Sequence, residues 1–546
     1  MNGHTRFADV RGRSLEWLEA ELKAVQAQAA VIREEYNARA PACTLPAELL
    51  LEIFLLAQAI RHKNTVKVAH VCLRWRSVAL ASQQLWSYIV PSRASAEWTS
   101  VWIQRAGTAP LQLRWYWPSN HGYRSIDIGR ILPYTHRCAI IDIELPGDHM
   151  LTFVNNATFD WTILRHLFLA RTWSRDMLPT IQFPTSLTGG HYQPSNYALR
   201  FLSLDTVIPN SWTHMASVCR NLRTLRLIGL SDRRRQSDIY CIDLAELLHV
   251  LESASSTLEE LLLVRCEPKH TQKSSVGGLS PCTVIDFPRL RTLCIASQTD
   301  DELGHMLSHL SVPVFTNLHF HLLQYLSHNI GVSLYPQSRP DRAANQFMNS
   351  YERVNVFFRD SWTIIVAGHL SPAHSPAHQK YNFERRLKLI LNGSRGSIGN
   401  MGYHTRTTLY KLGPVFSLGP VKEFIITVPI VFLSYITVDD WRRILRPFHR
   451  HLTTLLVEED PKVHIHNRDR ASRPTIVSKL LQALSSADPP LLPKLAHLAI
   501  MFAVPDGAEM NETIHSNYEE LSQGFASAGL LISINDISWH IPRKQH

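Results

Sequence analysis

The segments Leu222-Arg223-Thr224-Leu225-Arg226-Leu227 and Leu258-Glu259-Glu260-Leu261-Leu262-Leu263 share one pattern: an apolar residue, then two more at three and five positions further on. Side chains of an extended segment alternate between faces, so the last two apolar residues of each unit fall on one side and bury together. Between the units, Leu244, Leu247, Leu248 and Leu251 recur at a helical period. Short strand, helix, short strand predicts an α/β array.

The unit extends in both directions. It occurs at Ile140-Ile143-Leu145, Leu164-Leu167-Leu169, Leu199-Leu202-Leu204, Leu290-Leu293-Ile295, Phe315-Leu318-Phe320 and Tyr351-Val354-Val356. It returns at Val421-Phe424-Ile426, Leu452-Leu455-Val457 and Leu495-Leu498-Ile500. Helical patterns accompany it at Leu303-Met306-Leu307-Leu310, Trp441-Ile444-Leu445-Phe448 and Ile476-Leu480-Leu481-Leu484. This alternation resembles a leucine-rich-repeat solenoid. Cys266 follows one unit where that family places Asn or Cys. The unit spacing of 23 to 43 residues departs from the regular repeat of about 20–29. The expected fold over residues 93–546 is therefore an irregular solenoid with inserted loops; a generic α/β domain built on common strand patterns is the alternative. Two stretches break the rhythm. Residues 360–412, with Ser371 to His378 reading SPAHSPAH and a Gly-rich run from Gly393 to Gly402, read as loop and connector. Residues 504–546 carry a helical pattern (Ile514, Tyr518, Leu521, Phe525) and an alternating strand (Leu530, Ile532, Ile534), suited to a terminal cap.

Upstream of the array, Leu15, Leu18, Leu22, Val25, Ala29, Ile32 and Tyr36 form a seam in steps of three and four, closed by Pro41. Residues 1–41 thus predict one helix, either pairing in a coiled coil or packing against its own domain. Residues 42–92 follow as a compact helical unit. Pro46 suits the first helical position and Glu48 the first turn. Leu49, Leu50, Ile53, Phe54 and Leu56 make a wide apolar stripe, Arg61 to Asn64 a polar turn, and Thr65 a cap for a second helix. Val68, Val71, Cys72, Trp75 and Val78 continue at helical spacing to Leu85-Trp86. A unit this small carries more apolar surface than it can bury alone, so it is expected to dock on something.

Leu45-Pro46, Glu48-Leu49, Ile53-Phe54, Val71-Cys72, Trp75 and Leu85-Trp86 resemble the F-box, in order and spacing. The resemblance implies docking onto a Skp-type adaptor and, through it, a cullin–RING ubiquitin ligase. Carried over by position, Leu45, Pro46, Leu49, Ile53, Phe54, Val71, Cys72, Trp75, Leu85 and Trp86 would form or support the adaptor face. The long link Ala57 to Asn64 departs from the pattern and leaves the second helix loosely placed. Next come Trp98, Trp102-Ile103, Arg105-Ala106-Gly107, Pro110-Leu111 and Leu113, similar to the segment after the F-box in proteins of mushroom-forming fungi. Read from its residues, this segment is a helix ended at Gly107, then a strand from Leu111 to Tyr116.

Composition bounds the remaining readings. The 546 residues are 45% apolar and 19% charged, too apolar for a mainly disordered chain. A net charge of +10 does not by itself predict nucleic-acid binding. Eight scattered cysteines, no two within four positions, read as reduced thiols of an intracellular protein, in cytoplasm or nucleus. No signal-like run opens the chain, and the longest apolar stretch, Phe424 to Val438, is broken by Pro429 and too short to span a membrane. Hydrolase, phosphate-loop and calcium-loop motifs are missing, so no catalytic residue, metal or cofactor is assigned. His319/His321 and His464/His466 supply two ligands each, short of a zinc site, and Arg233-Arg234-Arg235 reads as a solvated loop with an acidic target as the alternative. The expected function is a non-enzymatic ligase subunit holding a target protein on its repeats. The competing reading is a scaffold that assembles through the N-terminal helix.

Overall fold

The repeated apolar units become the strands of a largely parallel sheet, and the reason is visible in their register. Leu202, Leu225, Leu261, Leu293, Leu318 and Leu387 stand side by side on consecutive strands, as do Leu204, Leu227, Leu263, Ile295, Phe320 and Leu389. From Leu202 to Phe320 both rows are buried, and a shift by one residue would turn them to the opposite face, so their burial sets the register. The computed structural model describes residues 13–61, 64–91, 96–116, 128–172, 197–208, 212–229, 244–266, 284–297, 300–313, 316–322, 353–359, 362–368, 386–392, 405–410, 412, 416, 420–459, 473–485, 491–501 and 531–534. The chain forms two compact units, residues 1–167 with 172–175, and residues 168–171 with 176–546.

The first unit opens with α1 (Leu15–Arg39), α2 (Pro41–Thr44), α3 (Ala47–Ile60), α4 (Asn64–Val68), α5 (Leu73–Ala81) and α6 (Gln83–Trp86). Strand β1 (Tyr88–Ile89), helix α7 (Ala96–Arg105), β2 (Leu111–Tyr116), β3 (Cys138–Leu145) and α8 (Gly147–Asn156) follow. β1, β2 and β3 pair in parallel, with Leu113 and Trp115 of β2 and Ile141 and Ile143 of β3 buried on one face. Gly107, at φ +53°, ends α7 as the spacing predicts, and its carbonyl accepts from Arg137. Strand β4 is His166–Arg171, flanked by Arg165 N–H donating to Ala139 O at 2.8 Å and Thr172 N–H donating to Leu145 O at 2.9 Å.

In the second unit the strands run β5 (Phe201–Asp205), β6 (Thr224–Ile228), β7 (Glu260–Val264), β9 (Thr292–Ser297) and β11 (Asn317–Leu322) across the sheet. A short parallel pair, β8 (Ile285–Asp286) with β10 (Leu310–Ser311), lies apart. Helices α9 (Trp212–Val218), α10 (Leu244–Ala254) and α11 (Asp300–Ser308) fill the connections, α10 and α11 on the predicted apolar residues. β6, β7 and β9 begin with the same device: Arg200 O accepts from Arg223 and Thr224 N–H, Arg223 O from Glu259 and Glu260, and Glu259 O from Arg291 and Thr292. The residue opening each unit, Leu199, Leu222, Leu258 or Leu290, is buried just before it.

The region 360–412 departs from its reading as loop. β12 (Arg353–Arg359), β13 (Trp362–Gly368) and β14 (Arg386–Asn392) form an antiparallel meander within the parallel sheet, with β14 beside β11. The alternation in Leu387, Leu389 and Leu391 is that of a strand. It was masked because Pro, Ser, Gly and His dominate the flanks, and those flanking runs, 371–378 and 393–402, lie outside the described residues. Parallel order resumes with β15 (Glu423–Val428), β16 (Thr454–Glu459), β17 (His497–Met501) and β18 (Leu531–Ile534). Rows Val354, Phe424, Leu455, Leu498, Ile532 and Val356, Ile426, Val457, Ile500, Ile534 continue the two earlier ones. Helices Val438–Leu445 and Arg473–Ser485 occupy two of the predicted helical patterns. Thr437 and Asp440 cap the former reciprocally, Asp440 N–H donating to Thr437 Oγ1 at 3.2 Å and Thr437 N–H to Asp440 Oδ2 at 2.9 Å. The helical pattern at Ile514 to Phe525, the second His doublet and the triple Arg run lie outside the described residues.

Candidate functional site

Helix α3 is apolar on two sides. Leu50, Phe54 and Gln58, four residues apart, turn inward and are buried. Leu49, Ile53, Leu56 and Ile60, on another face at steps of four, three and four, stay exposed at 46%, 43%, 67% and 78%. Exposed Val71, Leu73 and Leu80 carry further apolar surface on and beside α5. A single exposed Leu needs no explanation, but a contiguous apolar helix face does.

The buried side shows how α3 is held to its neighbours. Phe54 packs against Trp75 at a tilt of 54°, with ring centroids 4.9 Å apart. Gln58 Nε2 donates to Thr65 Oγ1 at 2.6 Å and to Leu85 O at 2.7 Å, tying α3 to α4 and α6. Arg74 donates to Leu45 O at 2.6 Å, holding the start of α3 against α5. Trp86 Nε1 donates to Ala79 O at 2.7 Å, and the Trp86 ring lies under the Arg105 guanidinium at 4.4 Å and edge-on to Trp102 at 5.4 Å. The first helices are thus anchored to α7.

Four local expectations change. Thr65 does not cap a helix; it lies within α4, fully buried, because its hydroxyl is the partner of Gln58. The run from Val68 to Val78 is two helices, since Cys72 adopts extended backbone (φ −155°) and caps α5 through its sulfur, which accepts from Trp75 N–H at 3.4 Å. Helix α3 continues to Ile60, so the link after it is shorter than the polar residues suggested, and Pro46 is its N-cap, not its first helical residue.

The ten residues assigned to the adaptor face divide by burial. Pro46, Leu49, Ile53 and Val71 are exposed; Leu45, Cys72 and Trp75 are half-buried. Phe54, Leu85 and Trp86 are core residues, buried within the module and not part of its exposed face. Leu56, Ile60, Leu73 and Leu80 are exposed and absent from the assigned set. Leu56 and Ile60 were readable, continuing the helical steps from Leu49 and Ile53. Leu73 and Leu80 were not, because their facing depends on where the second helix breaks.

The chemistry of this surface is that of contact. Among the described residues no group of three His, Cys, Asp or Glu side chains is placed to hold a metal ion, and no helix is long and apolar enough to cross a membrane. Residues 42–92 match the F-box-like family. The match covers under a tenth of the chain, and it coincides with the helical module just described. F-box domains typically bind a Skp-type adaptor within cullin–RING ubiquitin ligases. A comparison with curated proteins found no match.

Proposed function

We propose that this chain is a non-enzymatic substrate receptor of a Skp–cullin–F-box ubiquitin ligase. The observation that carries the reading is the uncovered apolar face of α3, Leu49, Ile53, Leu56 and Ile60, inside the segment that matches the F-box-like family. The target protein is held by the sheet of the second unit, read as a leucine-rich-repeat-like solenoid. Support for that part is the pair of in-register rows, buried on β6, β7, β9 and β11, which leave one outward position on each of these four strands: Arg226, Leu262, Cys294 and His319 stand between buried residues and are partly exposed. Arg226 is held there by Glu260 at 2.7 Å and lies 5.3 Å over the Phe201 ring. Ubiquitin transfer would follow from proximity, with no covalent step on this chain.

The test is capture of a Skp-type adaptor by the full chain, against a Leu49→Asp, Ile53→Asp variant. Two charges placed in an apolar contact cost about 2 kcal/mol each or more, so capture falls by about a thousandfold. Both side chains are exposed, so the fold survives and circular dichroism stays unchanged. Absence of capture by the folded native chain, or equal capture by the variant, would refute the docking role.

A second reading has its own observation. None of the 25 residues of α1 is buried, and Leu15, Leu22, Val25, Ile32 and Tyr36 of its seam are exposed. That exposure favours pairing over packing against its own domain, the other expectation for this helix. Pairing of α1 with a second copy would make the chain an assembling scaffold. Light scattering of the full chain beside Leu22→Glu, Ile32→Glu tests this; a native monomer would sink it.

A further inference from the structure

The sulfurs of Cys43 and Cys72 lie 3.7 Å apart, although 29 residues separate them in the chain. Cys43 is buried in α2, just before the segment that leads into α3. Cys72 is partly exposed at the N-cap of α5. A disulfide holds its sulfurs at about 2.0 Å, so about 1.7 Å of approach separates the observed contact from a bond. Other thiols sit differently. Cys219 is fully buried, which pushes its thiol up to about 12, and the Cys138 thiol, also buried, donates to Tyr134 O at 3.5 Å.

We propose that Cys43 and Cys72 are an oxidation site that closes to a disulfide when a peroxide reaches Cys72. Burial raises the Cys43 thiol above its ordinary value, and the contact with Cys72 raises it further, so the partly exposed Cys72 reacts first. The Cys72 thiolate attacks one peroxide oxygen; an S–O bond forms, the O–O bond breaks, and the departing oxygen leaves as water with the proton the thiol gave up. Cys72 is then a sulfenic acid, its sulfur oxidised and the peroxide reduced. Cys43 attacks that sulfur, the S–S bond forms, and the hydroxyl leaves as a second water carrying the Cys43 proton. Two thiols and one hydrogen peroxide give one disulfide and two waters. The new bond ties α2 to the N-terminus of α5 and brackets Leu45, Pro46 and Val71. The inference stands without the docking proposal, because it concerns the chain alone.

The test treats the purified full chain with a small molar excess of hydrogen peroxide, blocks remaining thiols by alkylation, and maps linkages by mass spectrometry of unreduced digests. The expected product joins the Cys43 and Cys72 peptides, two hydrogens lighter than their sum and separable by dithiothreitol. The same treatment in denaturant should scatter linkages among the cysteines, showing that the native geometry selects the pair. In Cys43→Ser the sulfenic acid on Cys72 loses its resolving partner and should be trapped by dimedone. Recovery of both native thiols alkylated, of Cys72 overoxidised beside a free Cys43, or of either joined mainly to another cysteine would overturn the proposal. The native-chain map decides even if the variant fails to fold.

Discussion

Replacing Gln58 with Leu removes a buried polar side chain that links α3, α4 and α6. The amide is buried and donates to both Thr65 Oγ1, at 2.6 Å, and Leu85 O, at 2.7 Å. Leu occupies similar volume, so no large cavity opens and the change falls on the two acceptors. An orphaned buried carbonyl costs about 1–3 kcal/mol, and losing the bond to the buried Thr65 hydroxyl about 1 kcal/mol more. Against this, an apolar side chain needs no desolvation, a return of about 1–2 kcal/mol. The net loss is about 2 kcal/mol, or about thirtyfold in the local opening equilibrium. A chain with two units does not unfold in one step, so the readout must be local. Hydrogen–deuterium exchange of the full chain, resolved by peptide, supplies it. Amides of α3, α4 and α6 should exchange about thirtyfold faster in Gln58→Leu, while those of α10 keep their rates. Thr65→Val alone should cost about 1 kcal/mol, and the double variant less than the sum, because both changes remove one shared bond. Module peptides within about twofold of the native rates would refute the reasoning and show that the clasp contributes no net stability.

Two further outcomes follow from backbone geometry and buried thiols. Gly107→Ala and Gly229→Ala both force a side chain onto positive φ, +53° and +67°, at about 1–2 kcal/mol each. At Gly107 the new Cβ meets only the end of the flexible Gln83 side chain, at 2.6 Å, whereas at Gly229 it meets Thr206 Cγ2 at 2.8 Å, on a stiff residue itself at φ 56°. Peptide-resolved hydrogen exchange around each glycine should therefore show the larger local loss for Gly229→Ala. Burial raises the Cys219 thiol from 9.0 to about 12, so ionisation favours the unfolded chain as pH climbs between those values. The stability of the unit that holds Cys219 should hold below pH 9.0 and decline above it, and in Cys219→Ala the denaturant transition of that unit, followed by a probe placed within it, should show a shallower alkaline decline, by up to about 4 kcal/mol at the top of that range.

The strands at Leu202, Leu225, Leu261 and Leu293 were legible because a period of two with Leu at both inner positions has few other uses. The helices at Leu244 and Ile476 were legible for the matching reason at a period of 3.6. β13 and β14 were not, since their alternation is short and lies among loop-forming residues. The helix break at Cys72 was equally hidden, because Val68, Val71, Cys72 and Trp75 satisfy a helical period whether or not the chain turns between them. At the candidate site, the identity of the module was readable from the order of Leu45-Pro46, Trp75 and Leu85-Trp86, and the family match falls on the same residues. Which of its apolar residues face out was only half readable. An all-apolar helix such as α3 offers two stripes, and sequence does not say which one the neighbours cover.

By itself, then, the sequence determined the kinds of element, their order along the chain and the helical module at residues 42–92, because periodicity and turn chemistry act between near neighbours. The tertiary structure alone decided what depends on distant partners. It turned Phe54 and Trp86 inward and left Leu56 and Ile60 uncovered. It placed β14 beside β11, with no local signal for that pairing. It also brought Cys43 to within 3.7 Å of Cys72, a contact that exists only because α2 and the start of α5 pack together.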